Sequence, residues 1–222
     1  MSLRRRADFK LTPSAAIALQ ERLRHEVSHV DQFKRIRTVA GVDAGFPGGG
    51  QKTRAAAALF EYPSLKFIAA RTAQRKTTYP YVPGLLSFRE LPAILDALAK
   101  LPVKPDLILC DGQGIAHPRR FGIACHLGWW LNCPTIGVGK SLLIGTHAAV
   151  GRQRGEWTPL RDDEETIGAA LRTRTGVKPV YVSNGHRVSL DTAIELVLAC
   201  TPRFRLPEPI RHADHLASQR GV

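Results

Sequence analysis

The sequence lacks the features of membrane-inserted, zinc-binding and disulfide-rich proteins. It has no uninterrupted apolar run of about 18 residues, which a transmembrane helix would need. No apolar segment follows the basic residues 1–10, as it would in a secretory signal. Only four cysteines occur among 222 residues, and none forms a C-x-x-C pair. We therefore expect a soluble, cytoplasmic protein whose cysteines are reduced thiols of the core.

Internal repeats, low-complexity tracts and linkers are also absent, and acidic residues are comparatively few. Lys and Arg number 32 against 19 Asp and Glu, so the formal net charge is +13. Such an excess favours a polyanionic partner, with nucleic acid as the leading candidate. A basic surface that serves only solubility is the alternative. The length suits one domain that spans residues 1–222.

Hydrophobic periodicity divides the chain into an N-terminal helix, a group of strands and an alternating series of helices and strands. The apolar spacing at residues 13–27 predicts an amphipathic packing helix, with Thr12 or Ser14 as its cap. Three β-rich stretches separated by turn signals then indicate an antiparallel meander. The predicted strands are residues 35–46, 54–62, 66–78, 106–110, 135–138 and 180–183, and the other predicted helices are residues 87–100, 119–131 and 190–200.

This order of elements predicts an α/β fold, because three hairpin-linked strands precede alternating helices and strands. We expect a mixed β-sheet, an antiparallel meander plus parallel strands, flanked by helices in a single domain. Residues 152–163 are charged and interrupted by Trp157 and Pro159, so they are interpreted as a surface excursion. Residues 203–222 have the composition of a basic, proline-rich tail.

Asp43 interrupts an apolar strand in the segment TVAGVDAGF. A buried, unpaired carboxylate costs several kcal/mol, so it requires a cation or strong hydrogen-bond donors. A bound metal ion would meet that requirement, and so would a turn formed with Ala44 and Gly45. The segment alone leaves both interpretations open.

Asp111 directly follows the apolar strand DLILC and precedes the turn GQG. Its side chain is therefore expected at the edge of the sheet where α/β proteins bind ligands, although an acid at an ordinary turn is the alternative. Asp43 and Asp111 together are typical of a site for a hard divalent cation. Mg2+ takes a few carboxylate oxygens and keeps its other positions for water and phosphate.

Two further acids have ordinary explanations in the sequence. The S-x-x-E pattern from Ser87 to Glu90 matches a capping box that starts the following helix, and this favours a cap over a ligand. Asp214 lies among basic residues and has the appearance of a surface acid.

A histidine and a lysine follow the central strands. His117 comes after the Asp111 turn at a distance that suits contact with a phosphate, and a solvated loop histidine is an equal alternative. Lys140 lies in GVGKS, but Pro134 stands where a P-loop needs glycine, which argues against an NTPase. A lysine in this place is instead suited to stabilise charge on a scissile phosphate.

An aromatic residue stands between two prolines in the segment PYVPG. Pro80 and Pro83 stiffen this loop, so Tyr81 is a candidate wedge that stacks on bases or opens a duplex. A rigid turn with a packed tyrosine is the alternative.

Taken together, seven separated segments resemble the endonuclease V family, in the same order, over about residues 35–217. The resemblance implies a ribonuclease H-like fold and Mg2+-dependent hydrolysis, with Mn2+ as a substitute. The bond implied is the second phosphodiester 3′ to an inosine, which leaves 3′-hydroxyl and 5′-phosphate ends. The segments are VD, PYVPG, FRE, DGQGIAHPR, GVGKS, SNGH and RLPEPIRHAD, which begin at residues 42, 80, 88, 111, 137, 183 and 205.

The same resemblance implies a catalytic set of four carboxylates and two polar residues near the phosphate. Asp43, Glu90 and Asp111 correspond to the metal ligands. Asp214 matches the fourth acidic position, where some members have histidine, and the polar pair is His117 and Lys140.

The substrate implied by the resemblance is DNA that contains deoxyinosine, acted on by a monomer. Tyr81, with Pro80 and Pro83, corresponds to a strand-separating wedge. Gly84 and Leu86 match positions that line the pocket for the flipped base. The alternatives are a ribonuclease H-like nuclease for inosine-containing RNA, hybrids or junctions, and a non-catalytic nucleic-acid-binding protein.

Overall fold

The computed structural model describes Phe9 and residues 11–218. Apart from Phe9, the basic segment 1–10 and residues 219–222 lie outside the described residues. Within the described part of the chain, the N-terminal helix is followed by three strands, a helix, a strand, a helix, four strands and two helices. The strands are β1 (Thr38–Gly45), β2 (Lys52–Glu61), β3 (Phe67–Lys76), β4 (Leu107–Asp111), β5 (Thr135–Gly139), β6 (Trp157–Asp162), β7 (Glu165–Leu171) and β8 (Val180–His186), and the helices are α1 (Pro13–Leu23), α2 (Leu86–Ala99), α3 (Ile123–Leu131), α4 (Leu190–Ala199) and α5 (Glu208–Ser218).

The strands form one sheet in the order β3-β2-β1-β4-β5-β8-β7-β6. β1, β2 and β3 pair antiparallel, which confirms the predicted meander. β1, β4 and β5 are parallel neighbours, and β5, β8, β7 and β6 pair antiparallel. The predicted α/β class, a mixed sheet flanked by helices in one domain, is therefore confirmed.

Helices cover both faces of the sheet. Strand side chains alternate between the two faces, and apolar side chains on each face pack against helices. Val39 and Leu109 point to the face covered by α4 and α5. Val42 and Ile108 point to the opposite face, covered by α2 and α3. The central parallel strands are thus buried on both sides, which explains why they are almost continuously apolar in sequence.

The N-terminal helix α1 lies outside these two layers. The hydroxyl oxygen of Thr12 accepts the N–H of Ala15 at 3.3 Å, which identifies Thr12 as the cap. The helix ends at Leu23 and continues as a short 3-10 turn, so it is shorter than predicted. α1 packs against Tyr79 and Phe88, next to the start of α2.

The interpretation of residues 152–163 as a surface excursion is wrong, because half of them form the edge strand β6. β6 pairs with β7, a strand that the sequence did not predict. An edge strand tolerates Pro159 because one of its sides needs no ladder hydrogen bonds. Every second side chain of β6 is exposed, so its sequence resembles that of a charged surface loop.

Two other sequence predictions are corrected near the ends of helices. The helix predicted at residues 119–131 begins only at Ile123, because the chain first makes a turn in which the N–H of Gly122 donates to the carbonyl of Gly114. The basic tail contains α5, whose Ile210 and Ala213 are buried against the sheet.

The cysteines carry no disulfide within the described residues. Cys110, Cys125 and Cys200 are buried, and Cys133 is half-buried. Burial raises the pKa of the Cys125 thiol to about 12, so it stays protonated. These are the core thiols that the sequence predicted. Among the helices described, none has both the length and the apolar character needed to cross a membrane.

Candidate active site

Three neighbouring parallel strands end at one edge of the sheet, and each brings a charged side chain there. Asp43 lies near the end of β1, Asp111 ends β4, and Lys140 directly follows β5. Val42 is aligned with Cys110 across the two strands. The next residues, Asp43 and Asp111, therefore stand side by side, as the sequence predicted.

Asp214 joins these two acids from α5. One carboxylate oxygen from each of Asp43, Asp111 and Asp214 lies within 4.8 Å of the others. The alternation of side chains explains the grouping, because Asp43 and Asp111 share the sheet face of Val39 and Leu109, which α5 covers. Asp214 is therefore not the isolated surface acid that its composition suggested.

Two glycines of β1 allow α5 to lie directly on the strand. A Cβ atom on Gly41 would come within 2.1 Å of the carbonyl carbon of Pro209. A Cβ atom on Gly45 would come within 2.8 Å of the carbonyl oxygen of Ala217. Only glycine permits this helix position, and Asp214 lies between the two contact points.

Lys140 connects two of the acids. Its Nζ lies 2.5 Å from Asp111 Oδ2 and 2.6 Å from Asp214 Oδ1. Burial lowers the pKa of Lys140, but the hydrogen bonds to Asp111 and Asp214 outweigh it and the net shift is upward. The ammonium group therefore stays charged, yet it supplies a single positive charge for three carboxylates.

Two acids of this cluster, Asp43 and Asp111, have raised pKa values, first because they are buried and then because neighbouring carboxylates repel them. Burial, and then the charge of Asp111, raise the pKa of Asp43 to about 7, although the N–H of Ala44 donates to it at 2.8 Å. Burial also raises the pKa of Asp111 in spite of Lys140. An additional cation would relieve both penalties. Clustered carboxylate oxygens are hard ligands, so the donor set fits Mg2+.

Glu90 approaches the cluster from the other side of the sheet, because it lies on α2. Its side chain is only 6% exposed. Burial, followed by the charges of Asp43 and Asp111, raises the pKa of Glu90 well above its ordinary value. Glu90 is not one of the three acids whose oxygens cluster among the described residues. Its role as a metal ligand stays a prediction.

The capping box predicted for Ser87 and Glu90 is wrong. α2 begins one residue before Ser87, and its N-cap Leu85 provides no side-chain hydrogen bond. The Ser87 hydroxyl instead forms a hydrogen bond with Nδ1 of His126 at 3.0 Å. The side chains of the motif are therefore used for tertiary contacts rather than for the helix start.

The loop between β3 and α2 exposes the candidate wedge. Tyr81 is 71% exposed, and Pro80 and Pro83 beside it are also exposed. The guanidinium carbon of Arg89 lies 4.1 Å from the ring centroid of Phe46 and 5.9 Å from that of Tyr81. Tyr81 thus projects outward, and the alternative of a packed tyrosine does not hold.

His117 is attached to the same loop. Its Nε2 lies 3.0 Å from the carbonyl oxygen of Gly84, and its Nδ1 accepts the N–H of Arg119 at 3.2 Å. Burial, and then the charge of Arg119, lower the pKa of His117 to about 4, so the ring is neutral at pH 7. The alternative of a solvated loop histidine is wrong, and contact with a phosphate stays a prediction. Leu86, predicted beside the pocket, is partly exposed in the first turn of α2.

Gln20 of α1 completes this arrangement, and no sequence motif pointed to it. Its Nε2 donates to the carbonyl oxygens of Gly84 at 3.1 Å and Phe121 at 3.0 Å. Its Oε1 accepts from Nε of Arg119 at 2.6 Å. The available signal was a polar residue beside Leu19 on the buried face of an amphipathic helix.

Comparisons with known proteins agree with this architecture. The family model described as Endonuclease V matches residues 21–215. Endonuclease V from a Nostoc species is 60% identical over 213 residues, which cover 96% of this chain and 96% of the relative. The crystal structure of Endonuclease V from Streptomyces avermitilis has a TM-score of 0.88 at 45% identity and covers 93% of this chain and 91% of its own.

A third similar protein has been crystallised with nucleic acid. Ciona intestinalis Endonuclease V, in complex with DNA containing an inosine followed by a ribo-adenosine, has a TM-score of 0.81 at 29% identity and covers 92% of this chain and 95% of its own. The likeness to these structures confirms the ribonuclease H-like fold. From the family model and the relatives, we conclude that the chain belongs to the endonuclease V family of nucleases.

Proposed function

We propose that the protein is a DNA repair endonuclease that recognises inosine and hydrolyses the second phosphodiester bond 3′ to it. The expected products carry 3′-hydroxyl and 5′-phosphate ends. The observation that carries this proposal is the cluster of Asp43, Asp111 and Asp214 around Lys140 at the sheet edge. We also propose that the protein acts as a monomer in the cytoplasm; its site needs no residue from a second chain.

Asp43, Asp111 and Asp214 are the residues that would hold Mg2+, with Mn2+ as a substitute. When bound there, the cation supplies positive charge against the phosphate oxygens and makes water more acidic at neutral pH. Glu90 is buried beside this cluster, where burial and then the charges of Asp43 and Asp111 raise its pKa, and a cation bound there would favour its ionised form; we therefore propose it as a further ligand.

Lys140 contributes in two ways. Its bonds to Asp111 and Asp214 orient both carboxylates. Its ammonium group also stabilises the negative charge that develops on the scissile phosphate, provided that substrate binding leaves it within reach.

Recognition of the lesion depends on the loop that carries Tyr81. A base must leave the stack, at a cost of a few kcal/mol, before an enzyme can read all of its edges. Tyr81 fills the gap, and Gly84, with a φ of 78°, turns the chain into α2. The N–H groups of Leu86 and Ser87 at this helix start have no hydrogen-bond acceptor in the described part of the chain. Such donors match the 6-oxo group of inosine, whereas the 6-amino group of adenine is itself a donor.

Inosine-containing RNA is a second candidate substrate. The Ciona intestinalis relative was crystallised with a ribonucleotide directly after the inosine. That relative therefore accommodates a ribose next to the recognised base. By analogy, we propose that this chain also accepts RNA strands that contain inosine.

Metal-dependent cleavage mapping tests both proposals. Matched DNA and RNA strands that contain one inosine, or adenine in its place, are incubated with Mg2+, and the product ends are mapped. We expect cleavage directly 3′ of the nucleotide that follows inosine, and much slower cleavage of the adenine strands. Asp43→Asn and Asp111→Asn should bind the inosine strand but not cut it.

Three outcomes would contradict the proposal. Cleavage at the normal rate by either variant would show that the substituted carboxylate is not required for the reaction. Cleavage of hybrids or junctions without inosine would indicate another ribonuclease H-like nuclease. Binding without any nicking in Mg2+ would indicate a non-catalytic nucleic-acid-binding protein.

A further inference from the structure

We propose that Gln20 is a positioning residue for the wedge loop, residues 80–84, and thereby sets how well the protein distinguishes inosine from a normal base. The inference rests on the proposed function, because that loop is the one expected to recognise the lesion. Gln20 lies on α1, outside the sheet that carries the carboxylate cluster. It acts through the hydrogen bonds of its amide group and touches no reacting atom.

The carbonyl oxygen of Gly84 is the point that these bonds hold in place. It lies 3.1 Å from Nε2 of Gln20, 3.0 Å from Nε2 of His117 and 2.7 Å from Nη2 of Arg119. Because the peptide unit is planar, fixing this oxygen also fixes the direction of the N–H of Leu85. That N–H donates to the carbonyl of Val82 at 3.0 Å and closes the loop directly before α2.

Gln20 also organises one of the other donors. Its Oε1 accepts from Nε of Arg119 at 2.6 Å, so the guanidinium group is held while its Nη2 reaches Gly84. The second bond of the Gln20 amide, to the carbonyl of Phe121, fixes the amide itself. Two carbonyl acceptors on one side and a guanidinium donor on the other determine the orientation of the amide.

The burial of Gln20 separates this role from simple helix packing. Its side chain is 1% exposed and lies on the apolar face of α1 with Ala16, Leu19 and Leu23. An apolar residue would pack equally well there if α1 only covered the neighbouring core. A buried amide is normally present with its partners satisfied, and the partners in this case are the wedge loop and the segment that holds it.

The Gly84 peptide leads directly into α2, whose N-cap is Leu85. Gly84 has a positive φ, and a Cβ atom on it would lie 2.6 Å from Nη2 of Arg119. Without the bonds to its carbonyl oxygen, rotation of the Gly84 peptide would turn the start of α2 with it. The N–H groups of Leu86 and Ser87 would then point away from the base, while the carboxylates at the sheet edge would keep their places.

Two substitutions and one control test this proposal. Gln20→Met keeps the length of the side chain and removes all three hydrogen bonds. Gln20→Glu keeps an acceptor for Arg119 but removes both donors. Leu23→Ala, on the same helix, creates a cavity and lowers stability but removes no hydrogen bond to the wedge loop.

Cleavage of inosine DNA and of matched adenine DNA is measured in Mg2+ at a temperature where all proteins are folded by circular dichroism. Both Gln20 variants should raise the KM for inosine DNA about tenfold, the effect expected for the loss of a hydrogen bond between buried groups. Their kcat should stay within about threefold of wild type, since the chemistry is untouched. The ratio of kcat/KM for inosine over adenine DNA should fall, and Leu23→Ala should leave that ratio unchanged.

The proposal would be overturned if Gln20→Met kept the wild-type KM and the wild-type ratio of kcat/KM for inosine over adenine DNA. It would also be overturned if Leu23→Ala lowered that ratio as much as Gln20→Met does. If Gln20→Met does not fold, Gln20→Glu decides by the same two criteria. Failure of the proposed function is distinguishable, because in that case the wild-type protein itself would not cut the inosine strand.

Discussion

Replacement of Gly41 by alanine should displace α5 while every proposed catalytic side chain stays present. A Cβ atom at this position would lie 2.1 Å from the carbonyl carbon of Pro209 and 2.4 Å from the nitrogen of Ile210. Both atoms belong to the backbone, so no side-chain rotation can relieve the overlap. The helix must therefore move away from β1.

The expected size of the effect follows from this overlap. Carbon atoms in contact are normally about 3.5–4.0 Å apart, so α5 must shift by roughly 1 Å or more. Overpacking of this kind costs about 1–3 kcal/mol of stability. Asp214 moves with the helix, and a misplacement of about 1 Å can reduce the rate roughly 100-fold.

The assay combines three measurements on Gly41→Ala: the free energy of unfolding in denaturant, the Mg2+ dependence of cleavage, and kcat on inosine DNA. Gly128→Ala is the matched control. A Cβ atom on Gly128 would lie 2.2 Å from Oγ1 of Thr135 and 2.5 Å from Cβ of His186, on the face opposite α5. The control should lose stability, but it should retain most of its cleavage rate.

A Gly41→Ala protein that is destabilised but cuts at the wild-type rate, with the wild-type Mg2+ dependence, would refute this reasoning. The position of Asp214 would then not depend on the contact between α5 and β1. An equal loss of rate in Gly128→Ala would assign the effect to general destabilisation.

Three further outcomes are expected. Lys140→Met should lower kcat about 100-fold. It should also tighten Mg2+ binding about tenfold, or about 1.4 kcal/mol, because the lysine no longer competes for Asp111 and Asp214. Weaker Mg2+ binding in calorimetry would contradict this. Mg2+ should raise the melting temperature of the wild-type protein, because a ligand that binds only the folded state stabilises it. It should not raise that of Asp43→Asn, which lacks one of the clustered carboxylates. Equal shifts of the melting temperature in both proteins would count against the carboxylate site. Burial lowers the pKa of His126 from 6.5 to about 3, so the unfolded state binds more protons and stability should decrease by about 2 kcal/mol from pH 7 to pH 5 through this group. His126→Leu should show a correspondingly shallower pH dependence of unfolding, and an unchanged slope would exclude this histidine as the cause.

The acids at the strand ends could be predicted because their signals are local. Asp43 and Asp111 each interrupt or follow an apolar run, and Lys140 comes directly after a third. Parallel strands that are buried on both faces produce such runs, and their carboxyl ends meet at one edge. The exposure of Tyr81 also agrees with its two flanking prolines.

Local patterns misled where the partner lies far along the chain. Ser87 and Glu90 match a capping box, but the serine is engaged by His126 and the acid lies beside two strand ends. Residues 203–222 have the composition of a tail, yet α5 is buried where Gly41 offers no side chain. β6 was missed because an edge strand has one solvent-facing side.

The sequence by itself determined the meander, the parallel strands, the two acids at the sheet edge and the family resemblance, since each depends on neighbouring residues or on ordered motifs. Only the tertiary structure decided that Asp214, and not Glu90, clusters with Asp43 and Asp111. The reason is that both aspartates point to the sheet face covered by α5, whereas α2 covers the opposite face. The bond between Gln20 and Gly84 likewise joins residues that are distant in sequence, and only packing brings them together.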